Sequence, residues 1–208
     1  MKNNITHRQI ILFIAMILSF SFASNAYTFQ EDTTLTKKEL KALKKEQKKK
    51  AKEQKKAERQ ALEEIAHNAA VVAIDSQSFV LEANQLYDRR GRTVNVQSNI
   101  NFLKVEGDVG VLQIGSAYLI GWNGVGGITV DGRISDWKVE KDEKTGRTKV
   151  SFNIMGTTLT ARVIYDLDGS GNFCNATING VFSAGQLKMR GVLVPNNQSR
   201  TYEGMIRY

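Results

Sequence analysis

Cysteine, proline and histidine are nearly missing from this sequence. Among its 208 residues there is one cysteine, Cys174, one proline, Pro195, and two histidines, His7 and His67. A single cysteine excludes an intramolecular disulfide, so the folded part must rest on its apolar core. Cys174 itself reads as a small buried hydrophobe. Two histidines exclude a multi-histidine zinc site, and one cysteine adds at most one further ligand. A nucleophilic triad would have only His67 as its base, because His7 lies in a segment expected to be removed. Scarce proline beside 17 glycines, with many Val, Ile, Thr and Asn, fits an ordered, turn-rich β protein.

Charge of one sign is also absent from most of the chain. The formal net charge is +8, but Lys37–Glu64 alone holds 12 Lys/Arg against 6 Asp/Glu. From Ile65 to Tyr208 the balance is 15 to 13, so that region is nearly neutral. Phosphate binding needs a basic face on the folded part, and nucleic acid is therefore not an expected partner.

The N-terminus carries a three-part signal. Lys2, His7 and Arg8 precede an apolar run from Ile10 to Ala23, and small residues follow. Ser24 and Ala26 occupy the −3 and −1 positions of a cut before Tyr27. This is the build of a cleavable secretory signal peptide over residues 1–26, with an apolar core short for a spanning helix. No cysteine lies near the cut, so a lipid-modified N-terminus is not expected. The expectation is a periplasmic or secreted protein, without stable membrane insertion once the signal is removed.

Residues 27–61 form a charged spacer, in which Lys37–Gln60 is built from strong helix formers with Glu→Lys pairs at i,i+3 and i,i+4. Its few apolar residues, Leu40, Leu43 and some Ala, make no stripe broad enough to bury. From Leu62 the pattern changes: Leu62, Ile65, Ala66, Ala69 and Val72 recur at helical spacing. The rear of the helix is expected to dock on a core through these residues. Residues 62–208 then constitute the β domain with its docked helix end.

From Gln77 the period switches to two. Val150, Phe152 and Ile154 share one face, as do Leu159, Ala161, Val163 and Tyr165, then Leu187 and Met189, then Tyr202 and Ile206. Such alternation marks strands with one buried and one wet face. Turn signals separate them at Asp88–Gly91, Gly107–Asp108, Asp131–Gly132, Lys144–Gly146, Asp168–Gly169 and Pro195–Asn197. One phase slip stands out: Ile128, Val130 and Ile134 lie on one parity, Trp137 and Val139 on the other. A β-bulge near Ser135–Asp136 would reconcile them and bend the strand as a barrel requires. The fold class expected is all-β, an antiparallel meander of about nine to eleven strands closing into a small barrel. A two-sheet sandwich is the alternative.

A helix rich in Lys, Ala and Glu is followed by Ser78-Phe-Val-Leu-Glu-Ala83 and by Arg90-Gly-Arg-Thr-Val-Asn-Val-Gln-Ser98. Next comes the Gly-rich Ile114-Gly-Ser-Ala-Tyr-Leu-Ile-Gly-Trp-Asn-Gly-Val-Gly-Gly-Ile128. This order resembles DUF4251, a family of exported Bacteroidetes proteins, from about Leu62 to the C-terminus. The resemblance implies a lipocalin-like β barrel and no particular activity. Many relatives look lipid-anchored, and this chain departs from them in lacking the cysteine.

Local motifs give turns more readily than chemistry. Asp166-Leu-Asp-Gly-Ser-Gly171 fits the first half of a calcium loop, but the twelfth position is Thr177 rather than a bidentate Glu. A hairpin turn needs the same residues. Gly121–Gly127 lacks a following Gly-Lys-Ser/Thr and does not open a helix, so phosphate cradling is not expected. Tyr118 and Trp122, in or beside that segment, could line an apolar pocket. Asp166 with Asp168, or Asp131 with Asp136, are the paired carboxylates a hydrolase would need, though such pairs are common in turns. No catalytic or metal residues and no cofactor are assigned, and no ligand-binding residues are identified. The functional expectation is a non-catalytic exported binding or interaction module of the cell envelope, for a small apolar ligand, a glycan or an envelope protein. An envelope tether using the basic helix is the alternative, and a carboxylate hydrolase is less favoured.

Overall fold

The computed structural model describes residues 37–88, 90–115, 127–157, 160–180 and 186–204. The chain divides between Lys49 and Lys50 into two units, which are taken separately. In the first, the described residues are helical, and Leu40 and Leu43 are exposed. The second holds the remainder of that helix and the whole sheet.

The helix, α1 (Lys37–Asp75), contains no β-branched residue before Ile65 and runs without a break. Residues 38–62 are exposed. It ends where Ser76 and Gln77 donate backbone bonds to Val72 and Ile74. Gln77 takes a left-handed φ of 50°, which turns the chain into the sheet. The face that docks differs from the sequence expectation. Ala70, Ala73 and Ile74 are buried, with Val71 packed beside them, whereas Leu62, Ile65 and Val72 are 61%, 65% and 66% exposed. The docked face carries two alanines together with the larger Ile74, while Leu62, Ile65 and Val72 are left outside.

Nine antiparallel strands follow: β1 (Ser78–Asp88), β2 (Thr93–Asn95), β3 (Phe102–Glu106), β4 (Val109–Ile114), β5 (Ile128–Lys141), β6 (Thr148–Met155), β7 (Thr160–Leu167), β8 (Phe173–Asn179) and β9 (Gln186–Pro195). Each pairs with the next around the sheet, and β1 also pairs with β9. Eight strands thereby close into a barrel, the meander expected from the alternation. The extra strand, β2, flanks the second half of β1, while β3 flanks its first half. Both follow the same neighbour. Val96 donates to Asn84 and Ala83 donates to Asn101, so residues 97–100 are an excursion in one interrupted strand.

The bulge in β5 lies where the parity breaks. Ser135 pairs with Asn153 and Lys138 with Ser151, leaving Asp136 and Trp137 opposite Phe152. Asp136 adopts a φ of 54°, and Asn153 Nδ2 donates to its carboxylate at 2.6 Å. A second irregularity at Ala83/Gln85 bends β1 against β9.

One expected turn and one expected strand are something else. Asp131–Gly132 lies inside β5, where a Cβ on Gly132 would meet Ile154 Cγ2 at 2.6 Å and Met155 backbone at 2.8 Å. Glycine there serves close packing of neighbouring strands. The strand expected around Tyr202 and Ile206 is not one over its described part: residues 199–204 carry no ladder, and Tyr202 is 65% exposed. After a short 3₁₀ turn at Asn196–Gln198, this segment lies as a strap on the outer wall.

Candidate functional site

Aromatic rings pack against one another in the apolar cluster inside the barrel. Trp137 stacks on Phe152 with centroids 5.0 Å apart, Phe152 lies 5.8 Å from Tyr165, and Tyr165 meets Phe79 edge-on at 5.3 Å. Tyr165 Oη donates to the Leu103 carbonyl at 3.1 Å, reaching from β7 to β3. Ala70, Ala73 and Ile74 of α1 belong to the same apolar cluster, so the helix end closes one mouth. Tyr118 and Trp122, expected as pocket residues in or beside the Gly-rich segment, lie outside the described residues.

Groups with chemical potential are mostly committed to structure. His67 Nδ1 lies 3.0 Å from the Gly171 carbonyl and anchors α1 to the β7–β8 turn. Cys174 is fully buried, and burial pushes its thiol far above the ordinary value. Asp168 pairs with Arg147 at 3.2 Å, and its backbone N–H donates to Phe173, so the calcium-like motif is the β7–β8 hairpin. Asp136 lies in the β5 bulge, five residues along the strand from Asp131, and its carboxylate accepts from Asn153. Among the described residues, no group of three or more His, Cys, Asp or Glu could hold a metal ion.

A groove built by the strap was not foreseen from the sequence. The outward-facing residues Val80, Phe102 and Val111, with Val194 beside them, form a second apolar cluster separate from the interior. The strap is pinned over this wall by side chains. Asn196 Nδ2 donates to Ser78 Oγ and the Val105 carbonyl at 3.1 and 3.0 Å. Ser199 Oγ and the Arg200 amide both donate to Glu82, at 2.8 and 3.0 Å. Gln113 donates to the Tyr202 and Ile100 carbonyls and accepts from the Gly204 amide and Thr129 hydroxyl. Every polar atom of that buried amide is thus used.

Two adjoining clefts, of about 380 and 270 Å³, remain between strap and wall, and both are lined by Lys104, Glu106 and Glu203. Lys104 Nζ lies 2.7 Å from Glu106 and 3.6 Å from Glu203. The bond to Glu106, aided by the charge of Glu203, holds its ammonium above the ordinary value. Asn197, Ser199 and Thr201 add polar groups, while Val80 and Val111 give apolar floor. Asn196 Oδ1 is buried and has no hydrogen-bond partner among the described residues. The groove joins residues about a hundred positions apart, so no local motif announces it.

These features define a closed antiparallel barrel with a docked helix and a strapped outer wall. The family model DUF4251, a domain of unknown function, matches residues 61–193. The chain belongs to that family. It is similar to a DUF4251 family protein from Bacteroides eggerthii, known from a crystal structure. The two are 39% identical with a TM-score of 0.57, over 67% of this chain and 94% of that one. No curated protein matches.

Proposed function

We propose that the protein is a non-catalytic, exported binding module of the cell envelope, which engages its partner through the outside of the barrel. Export rests on the signal-like residues 1–26, which lie outside the described residues and direct the chain to the periplasm or beyond. One observation carries the choice of the outer surface: the buried rings of Phe152, Tyr165 and Phe79 pack against one another inside the barrel, with Trp137 stacked on Phe152. A lipocalin-like use of the interior would need that volume for a ligand.

The test takes the chain beginning at Tyr27, washed cell envelopes, and a fluorescent fatty acid as an apolar probe. Saturable sedimentation with the envelopes is expected, without uptake of the probe. Stoichiometric uptake of the fatty acid, or absence of saturable envelope binding, overturns the reading.

A tether reading is favoured by α1, whose residues 38–62 are exposed and strongly basic. It calls for salt-sensitive binding to anionic vesicles that disappears on deleting Lys37–Gln60. Unchanged binding after the deletion removes it.

A further inference from the structure

We infer that α1 lies side-on against an anionic phospholipid surface through its lysines, and this rests on the tether reading of that helix. Successive residues of an α-helix step round its axis by about 100°. On that spacing Lys38, Lys41, Lys44, Lys45 and Lys48 of the first unit fall within an arc of about 120°. Leu40, Leu43 and Gln47 take the opposite side, with Glu39 and Glu46 beside them. In the second unit, taken alone, Lys52, Lys55, Lys56 and Arg59 share an arc of about 100°. Gln54 and Ala57 lie opposite that arc, and Lys50 lies outside it. All these residues are exposed. The cations are thus sorted onto one side, whereas solubility calls only for charges of both signs interspersed.

The chemistry of the arc favours a lipid surface over a shaped acidic partner. A carboxylate or phosphate in a fixed place is best recognised by the planar fork of arginine. Here the donors are lysines, compact point charges on flexible stems, and the one arginine, Arg59, is held by Glu63 at 2.9 Å. A convex row of such charges has no walls to fit a shape. It responds to charge density, which a sheet of anionic headgroups provides.

The arc carries no apolar side chain, because Leu40 and Leu43 lie off it. The contact therefore stays at headgroup level, without the buried apolar face of an interfacial helix, and weakens with salt. From Ile65 onward the chain is nearly balanced in charge, so the β domain adds little to the attraction.

The experiment compares two triple variants of the chain from Tyr27 that lower the net charge equally on different sides of the helix. Lys41→Gln, Lys48→Gln and Lys55→Gln alter the basic arc, and Gln47→Glu, Gln54→Glu and Ala61→Glu alter the side opposite. Every replacement is a good helix former, so helicity is retained, as circular dichroism verifies. Sedimentation with vesicles of phosphatidylglycerol and phosphatidylcholine in equal parts is expected to weaken roughly hundredfold in the first set. In the second set it should weaken by no more than about fivefold, because those charges stand about one Debye length further from the surface. Equal weakening by both sets, with binding abolished by deleting Lys37–Gln60, overturns the one-sided contact and leaves the tether standing. Equal binding to pure phosphatidylcholine overturns the electrostatic contact. Envelope binding lost on the deletion while vesicles are ignored overturns the lipid and keeps the tether. Vesicle binding that survives the deletion removes both.

Discussion

The Tyr165 hydroxyl reaches across the barrel to donate to the Leu103 carbonyl at 3.1 Å. A ring with no exposure on β7 is thereby tied to the wall opposite it. The ring and the hydroxyl contribute separately. Tyr165→Phe should cost about 1 kcal/mol, the net worth of one hydrogen bond. Phe152→Ala, which empties the space between Trp137 and Tyr165, should cost about 3–5 kcal/mol. Urea unfolding of the two variants checks the ordering. Equal losses would mean that the hydroxyl, not the packing, holds the centre.

The strap depends on Gln113. Replacing it with Leu keeps the volume but leaves the Gly204 amide and the Thr129 hydroxyl without this acceptor, and the Tyr202 carbonyl without its donor. A loss of about 1–3 kcal/mol is expected for a buried polar group left unpaired. Hydrogen exchange should reveal where the loss falls. The Gly204 amide should exchange faster, while amides in β6 and β7 keep their protection. Uniform loss of protection would show that strap and barrel open as one.

Alkaline pH should destabilise the protein through two buried groups. Burial raises the Cys174 thiol far above its ordinary 9.0, and burial likewise raises the Tyr165 phenol well above 10.0. Above pH 9 the unfolded chain releases the thiol proton, whereas the folded chain retains it. Stability is therefore unaffected below about 9 and falls as pH climbs beyond it. Each group adds a slope of up to about 1.4 kcal/mol per pH unit over its window. Denaturant midpoints between pH 7 and roughly pH 11 measure this, and Cys174→Ala should remove the earlier part of the decline. A flat profile would contradict the burial of both groups.

The features legible in the sequence were those with a local period. The β5 bulge could be seen because Ile134 and Trp137 fall on opposite parities, and an inserted residue is what repairs such a slip. The barrel followed from many alternating segments joined by short turns. The strap was misread because Tyr202 and Ile206 alternate as a strand would. In the closed barrel the wall it crosses, β1 with β3 and β4, is laddered on both sides, so residues 199–204 find no strand edge there and are held by side chains and by the Tyr202 amide on the Asn99 carbonyl. Asp131–Gly132 looked like a turn because a glycine needed for close packing and one needed for positive φ are written alike. The groove had no local trace, because Lys104 and Glu203 meet only through tertiary structure.

The choice of helix face is the sharpest case, and it can be tested directly. Leu62, Ile65 and Val72 have the spacing of a buried stripe, yet it is the side with Ala70, Ala73 and Ile74 that meets the barrel. Periodicity shows that a helix has an apolar side; it does not show how near its partner comes. Ala73 is 4% exposed within the buried cluster, beside Ala70 and the fully buried Ile74. Ala73→Leu should therefore destabilise by about 1–3 kcal/mol through overpacking. Ile65→Lys, on the exposed side, should change stability by no more than about 0.5 kcal/mol. Denaturant titration of the two variants decides between the faces. The reverse order, with Ile65→Lys the costly change, would place the large side chains against the core and the alanines outside.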